Sequence, residues 1–354
     1  MVLGVVVGLR AWTVPYYAMT PGDATAVGPL IEVKGLATDH HRDKILLTDV
    51  YLQQLSAWQW LTMHFQSHVE FLSASQLVEP GVPADELGAQ GFLEMAGSKQ
   101  AAEVAALRAL GWRIKGVANG ATVEAVIASS PARRANVRVA DRIVAVNSEP
   151  TTSSCAVVRA LHDVAAGKVV RLSLARAHID AQGTITYSSP VSVRLTAAPP
   201  IPGGGAFYCA GVHGPAKSEI GVVLQDSIQY SLPATFSINT NYIGGPSAGL
   251  AMTLSLIDQL SRGSLTGGAV VAATGAITPS GQVTDVGGVA EKTVAVQRAG
   301  ATVFLVPSVE VATARGAAQP GLRVMGVSTL AQALRDLRRL GGAPAVPLTP
   351  PNHR

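Results

Sequence analysis

A serine in a run of small residues and a lysine in an apolar helical stretch are the side chains of this sequence best placed to do chemistry. The serine lies in Ile243-Gly244-Gly245-Pro246-Ser247-Ala248-Gly249-Leu250, the lysine in Gly287-Gly288-Val289-Ala290-Glu291-Lys292-Thr293. A serine hydroxyl is a poor nucleophile until a base takes its proton. Lysine can be that base only when neutral, and its ordinary pKa of about 10.4 keeps it charged at pH 7. Burial lowers that value, and Ala290, Val294 and Ala295 offer apolar surroundings. Bringing it near 7 corresponds to ~4–5 kcal/mol of differential interaction. Glu291 is the neighbour in sequence, but consecutive helical positions do not face each other. The pair reads as a Ser–Lys dyad for attack on a carbonyl. Glycines and a proline beside Ser247 permit a tight turn that brings N–H groups to the reacting carbon. Pro246 has no N–H, so the oxyanion donors are expected at Ser247 and Ala248. Thr274, in Thr274-Gly275-Ala276-Ile277-Thr278-Pro279-Ser280-Gly281, is expected to hydrogen-bond the lysine amine and aim it. Each residue also has a plain reading: a helix start, a surface lysine, a loop threonine.

The elements that must hold these residues follow from apolar spacing and from turn residues. Helices are expected over Ala248–Leu260 and over Val289–Arg298, the second closed by Gly300. Thr302–Pro307 reads as a strand, and Thr329 as the N-cap of a helix through Arg339. This gives an α/β unit over 206–341, followed by a Pro-rich flexible tail, 342–354. Ahead of it, 112–198 forms a second unit. Its strands are Ala121–Val126, Asp141–Asn147 and Val169–Ala175; Ser130-Pro131-Ala132 starts a short helix, and Ser153–Ala165 is a longer one stopped by Gly167. Pro199, Pro200 and the glycines at 203–205 mark the boundary between the two. In the region 20–111, Ile31–Lys34 is a strand, Lys44–Leu77 a strand then a helix, and Pro80-Gly81-Val82-Pro83 a break. A helix follows over Glu86–Leu110, ended by Gly111. His64 and His68 are four apart, but two histidines without a third ligand do not make a zinc site, so neither metal nor cofactor is expected.

Only 14% of the 354 residues are charged and 48% are hydrophobic, against roughly 25% charged in an average soluble domain. The surface must lean on Ser, Thr, Gln and backbone, or be covered in part by a partner. The net charge is +4 with arginines scattered, which argues against a nucleic-acid face. Val2–Leu9 is an apolar run, too short for the ~20 residues a membrane span needs and without a basic lead. Residues 1–19 are therefore either a buried strand or the tail of a membrane anchor, with Trp12, Tyr16 and Tyr17 as interfacial aromatics. Cys155 and Cys209 are the only cysteines. Buried free thiols are the plain reading, and a single bridge is the alternative outside the cytosol.

The order of elements over 112–198 resembles a PDZ domain of the kind found in bacterial proteases. The resemblance implies a groove that adds an extended peptide to a sheet edge. The loop meeting the peptide carboxylate falls on Lys115 to Thr122, with Gly116, Val117, Gly120 and Ala121 supplying it. Ala140-Asp141 stands where that family commonly has Gly-Asp. Residues 235–310 resemble the proteolytic domain of Lon proteases, through Gly245-Pro246-Ser247-Ala248-Gly249, Leu265-Thr266-Gly267-Gly268, Thr274-Gly275, Gly281-Gln282-Val283, Gly287-Gly288, Glu291-Lys292 and Gly300-Ala301-Thr302. With a PDZ-like unit ahead, the chain is similar to membrane-anchored Lon-like proteases of actinobacteria and Gram-positive bacteria. That resemblance implies a dyad of Ser247 and Lys292 with Thr274 positioning the lysine. It also implies ring-shaped homo-oligomers, and a single-pass membrane protein with its domains on the extracytoplasmic side. Ala276 departs from the acidic residue that ATP-dependent relatives place after Thr-Gly. No G-x-x-x-x-G-K-[ST] loop is present, so cleavage of unfolded or flexible polypeptides without ATP is expected. The overall expectation is a multidomain chain of α/β and α+β parts, a PDZ-like domain followed by a Lon-type proteolytic α/β domain. The rival expectation is a non-catalytic or self-cleaving peptide-binding scaffold.

Overall fold

Thr13–Ala26 and Lys44–Ser56, both rich in β-branched and aromatic residues, pair antiparallel and form the core of a six-stranded mixed sheet. Its order is Arg323–Val327, Val303–Pro307, Val270–Ala273, Lys44–Ser56, Thr13–Ala26, Glu70–Ser73. The first four run parallel to one another, and the last two are antiparallel additions. In the computed structural model the described residues are 9–39, 44–77, 82, 86–180, 183–200, 209–210 and 212–351. Val2–Gly8, Pro80, Gly81 and Pro83, and the glycines 203–205, for which the sequence carried expectations, lie outside them.

Parallel strands bury both faces, so successive side chains must both find cover. Leu46, Ala272, Phe304, Val306 and Val324 pack with Val289 and Val296 of the helix Val289–Arg298 and with Ala314 of the helix Val311–Ala317. The alternate residues Ile45, Leu47, Val271, Ala273 and Leu305 are equally buried. The helix Gly249–Leu260 packs against the Lys44–Ser56 and Val270–Ala273 strands. Every residue of that helix is buried, as expected of a helix apolar all round.

The chain divides into two compact units, one of residues 1–77, 97–114 and 232–354, the other of 78–96 and 115–231. This revises the boundaries expected from sequence. The 206–341 region does not make its own sheet, because half of that sheet comes from residues 13–73. Val222–Tyr230, expected in the third unit, instead pairs with Gly116–Val126 in the second. Residues 346–347, expected in a flexible tail, pair with Ser261–Arg262.

The second unit holds a sheet in the order Val191–Thr196, Val169–Ala175, Arg142–Val146, Gly116–Val126, Val222–Tyr230. Its core is Val123, Val126, Ile143, Val146, Leu172 and Leu174, with Val157 and Leu161 of the helix Ser154–His162. Ser153 caps that helix by accepting the Ala156 N–H. Ala140 keeps the left-handed turn of the glycine it replaces, with φ +70°.

Two expectations are overturned here. Among the described residues no helix is long and apolar enough to cross a membrane, which corrects the single-pass, extracytoplasmic reading. Tyr16 and Tyr17 lie in a sheet strand, opposite Ser73 and Leu72 of the neighbouring strand, so they are not aromatics flanking a span. Cys155 and Cys209 are not free thiols but are joined as a disulfide. The first sits in the helix Ser154–His162, whose start brings it against the chain ahead of the edge strand.

Candidate active site

Ser247 precedes the helix Gly249–Leu260 and is half-buried. Gly245, with φ +84°, makes the turn into Pro246 in a conformation that a side chain would strain. The Ser247 carbonyl is then gripped from the end of the central strand Val270–Ala273. It accepts the Gly275 N–H at 2.9 Å and the Thr274 hydroxyl at 3.3 Å. The clasp is mutual, since Leu250 N–H donates to Gly275 O at 3.0 Å. Thr274 is fully buried and its own N–H donates to Leu305 O. Thr274 thus positions the serine backbone, where the sequence reading aimed its hydroxyl at the lysine amine. The Ser247 and Ala248 N–H groups have no acceptor among the described residues. They stand at a helix start, where donors and the dipole favour negative charge.

Lys292 lies in the first turn of the helix Val289–Arg298, its N–H donating to Gly288 O. Gly288 caps that helix at φ +69°, and a Cβ there would run into Met19 Sδ. The Lys292 side chain is 3% exposed. Burial brings its amine down from the ordinary 10.5 to about 8, against the carboxylates of Glu310, Asp49 and Glu291, which pull it back up. Those neighbours place the amine. In the parallel register Ala272 lies opposite Leu46, and Asp49 follows three residues further along the Lys44–Ser56 strand. Glu310 ends the turn Ser308–Glu310 that follows the strand Val303–Pro307. Both carboxylates therefore mark the carboxyl-terminal end of the parallel strands, where Thr274 and Gly275 hold Ser247. Open α/β sheets place their sites at this end.

Three contributors escaped the sequence reading. Ser98, on the helix Leu87–Ala109, is buried and donates to Pro246 O at 2.9 Å, fixing the residue before the serine. Asp49 accepts the Asp23 N–H at 2.7 Å, and burial raises its carboxyl. Glu310 accepts the Val286 N–H at 2.8 Å. For Ser98 and Asp49 the sequence held no signal; Glu310 stood just beyond a strand end.

The residues expected to form the peptide loop lie in the strand Gly116–Val126. Gly116, Val117 and Ala121 are opposite Tyr230, Gln229 and Asp226, and Ala121 is also opposite Ile143. Gly120 lies between them in the same strand, its N–H donating to Thr152 O. Gly116 and Val117 have a strand neighbour on one side only, since Arg142–Val146 meets that strand at Ala121 and Thr122. The sheet's edges are Val191–Thr196 and Val222–Tyr230, and the second lies beside the helix Ser154–His162. Asp226 joins the two, its Oδ1 accepting the Ser154 N–H at 2.8 Å and hydroxyl at 2.5 Å. As for His64, its ring stacks on Phe71 at 4.2 Å between centroids and meets the edge of Trp60.

Two families match parts of the chain. Residues 241–335 match the Lon protease (S16) C-terminal proteolytic domain, and residues 108–186 match the PDZ domain. A Lon protease of Clostridioides difficile (strain 630) is 48% identical over 63 residues, 18% of this chain and 8% of the relative. The chain is therefore a mixed α/β multidomain protein in which a segment matching PDZ domains precedes one matching the proteolytic domain of Lon proteases.

Proposed function

We propose that this protein is a serine endopeptidase that cleaves unfolded or flexible polypeptides without ATP, through a dyad of Ser247 and Lys292. The observation that carries the reading is the buried Lys292 amine, held near 8 at the same end of the sheet as the gripped Ser247. With that value about one lysine in ten is neutral at pH 7 and about half at pH 8. Ser247 Oγ attacks the peptide carbonyl while neutral Lys292 accepts its proton. The oxyanion meets the free N–H groups of Ser247 and Ala248. Protonated Lys292 returns the proton to the leaving amine, and water activated by the same lysine releases the acyl group. Within these 354 residues no phosphate-binding loop occurs, which favours cleavage independent of nucleotide.

The free edge of Val222–Tyr230 supports a role for the PDZ-like unit in choosing substrates, by adding an extended segment as a further strand. Self-association into a ring is part of the same reading.

The test is cleavage of casein by the purified protein beside Ser247→Ala and Lys292→Ala. Loss of at least ~10³-fold in both variants is expected, since members of a catalytic unit fail together. Cleavage that survives either substitution rejects the dyad. If the unsubstituted protein cuts only its own chain, or nothing, the self-cleaving or non-catalytic scaffold takes its place.

A further inference from the structure

Glu310 spends one carboxylate oxygen and keeps the other idle. Its Oε1 accepts the N–H of Val286 at 2.8 Å, in the segment leading into the helix that carries Lys292. Its Oε2 is buried without a hydrogen-bond partner among the described residues. The helix it introduces, Val311–Ala317, packs against the Val289–Arg298 helix, so Glu310 is fixed to the lysine's element from two directions. A buried carboxylate oxygen with no donor costs free energy. The donor that peptide-bond attack would create is an ammonium at Lys292.

We propose that Glu310 is a positioning residue for the Lys292 amine, its idle oxygen receiving the ammonium formed when the lysine takes the Ser247 proton. This rests on the dyad reading above. In that step the Ser247 O–H bond breaks, an N–H bond forms at Lys292 and an Oγ–C bond forms to the substrate. The proton is later passed to the leaving amine, which restores the neutral lysine. Three carboxylates face the amine: Glu310, Asp49 from the Lys44–Ser56 strand and Glu291 on its own helix, with Glu310 the strongest. Glu310 in turn faces Asp285 as well as Lys292. Asp49 also faces Asp23, and Glu291 faces Glu70 and His68. Of the three carboxylates, Glu310 opposes the larger effect of burial most strongly.

Glu310→Gln isolates that charge, because a glutamine oxygen still accepts from Val286 N–H. The rising limb of the pH–rate profile is expected to move down by about one pH unit, as when an opposite charge is removed from a lysine. The Lys292 ¹³Cε resonance, assigned through its absence in Lys292→Arg, should titrate lower by the same amount. Limb and resonance both unmoved would overturn the proposal and leave Glu310 as a clamp on the turn. A moved resonance in a protein whose cleavage survives Ser247→Ala would reject the dyad, and the catalytic role with it, while keeping the Glu310–Lys292 coupling. Should the glutamine variant not fold, the Glu310 carboxyl ¹³C resonance in the unsubstituted protein answers instead. A response at the pH where Lys292 titrates supports the contact; no response overturns it.

Discussion

Burying the Lys292 amine costs the fold what it offers the reaction. An unfolded chain titrates this lysine near 10.5 and the folded chain near 8. Between those values the unfolded chain binds the extra proton, so folding becomes more favourable as pH rises through that window. At pH 7, below both, the whole penalty stands, about 3 kcal/mol from the difference of 10.5 and 8. Lys292→Met is therefore expected to abolish cleavage yet stabilise the protein at pH 7 by about that amount. The gain should shrink toward pH 10, and urea denaturation at both pH values reads it. Equal stability at pH 7 would mean that the amine is better solvated than its burial implies. That Ser247 stands in a small-residue turn ahead of a helix, and Lys292 in a helix among apolar residues, was legible in the sequence. The partner of Thr274 was not, because its hydroxyl direction depends on where the turn at Ser247, 27 residues away, comes to rest.

At the scale of elements, local rules carried far. Ser153, Ser130 and Thr329 cap helices as their types predict, and the Val289–Arg298 helix and Val169–Ala175 strand fall where the residue pattern put them. Pairing was harder. The Val222–Tyr230 strand crosses from the expected third unit to the edge of the PDZ-like sheet, where Asp226 ties it to the start of the Ser154–His162 helix. Asp226→Ala removes both hydrogen bonds and should cost about 1–2 kcal/mol, as for a lost helix cap. It should also weaken binding of an extended peptide to the Ser247→Ala protein by several-fold in calorimetry. Unchanged binding would place the peptide elsewhere. The disulfide closes a separation of 54 residues, and such closures stabilise by about 2–4 kcal/mol. Reduction should lower the thermal midpoint measured by calorimetry, and an unchanged midpoint would show that the bridge adds nothing to packing.

For the whole molecule, the proposed chemistry needs no nucleotide. Casein cleavage is expected at the same rate with and without magnesium ATP, and stimulation by more than about twofold would call for a partner that supplies an ATPase. The sequence by itself determined the candidate chemistry and most helices, since these follow from residue type and from periods of two and 3.6 along the chain, while its motifs carried the resemblance to two kinds of fold. Only the tertiary structure decided which strands share a sheet. Residues 13–73 complete the sheet of the segment that matches Lon proteolytic domains, the PDZ-like sheet ends on Val222–Tyr230, and Tyr16 and Tyr17 enter a strand. It also decided which charges surround the lysine. Asp49 and Glu310 reach Lys292 across 243 and 18 residues of sequence, and no local pattern encodes such an approach. Pairing and burial join segments distant in the chain through packing free energy that is non-directional, so only the folded whole reveals which segments meet.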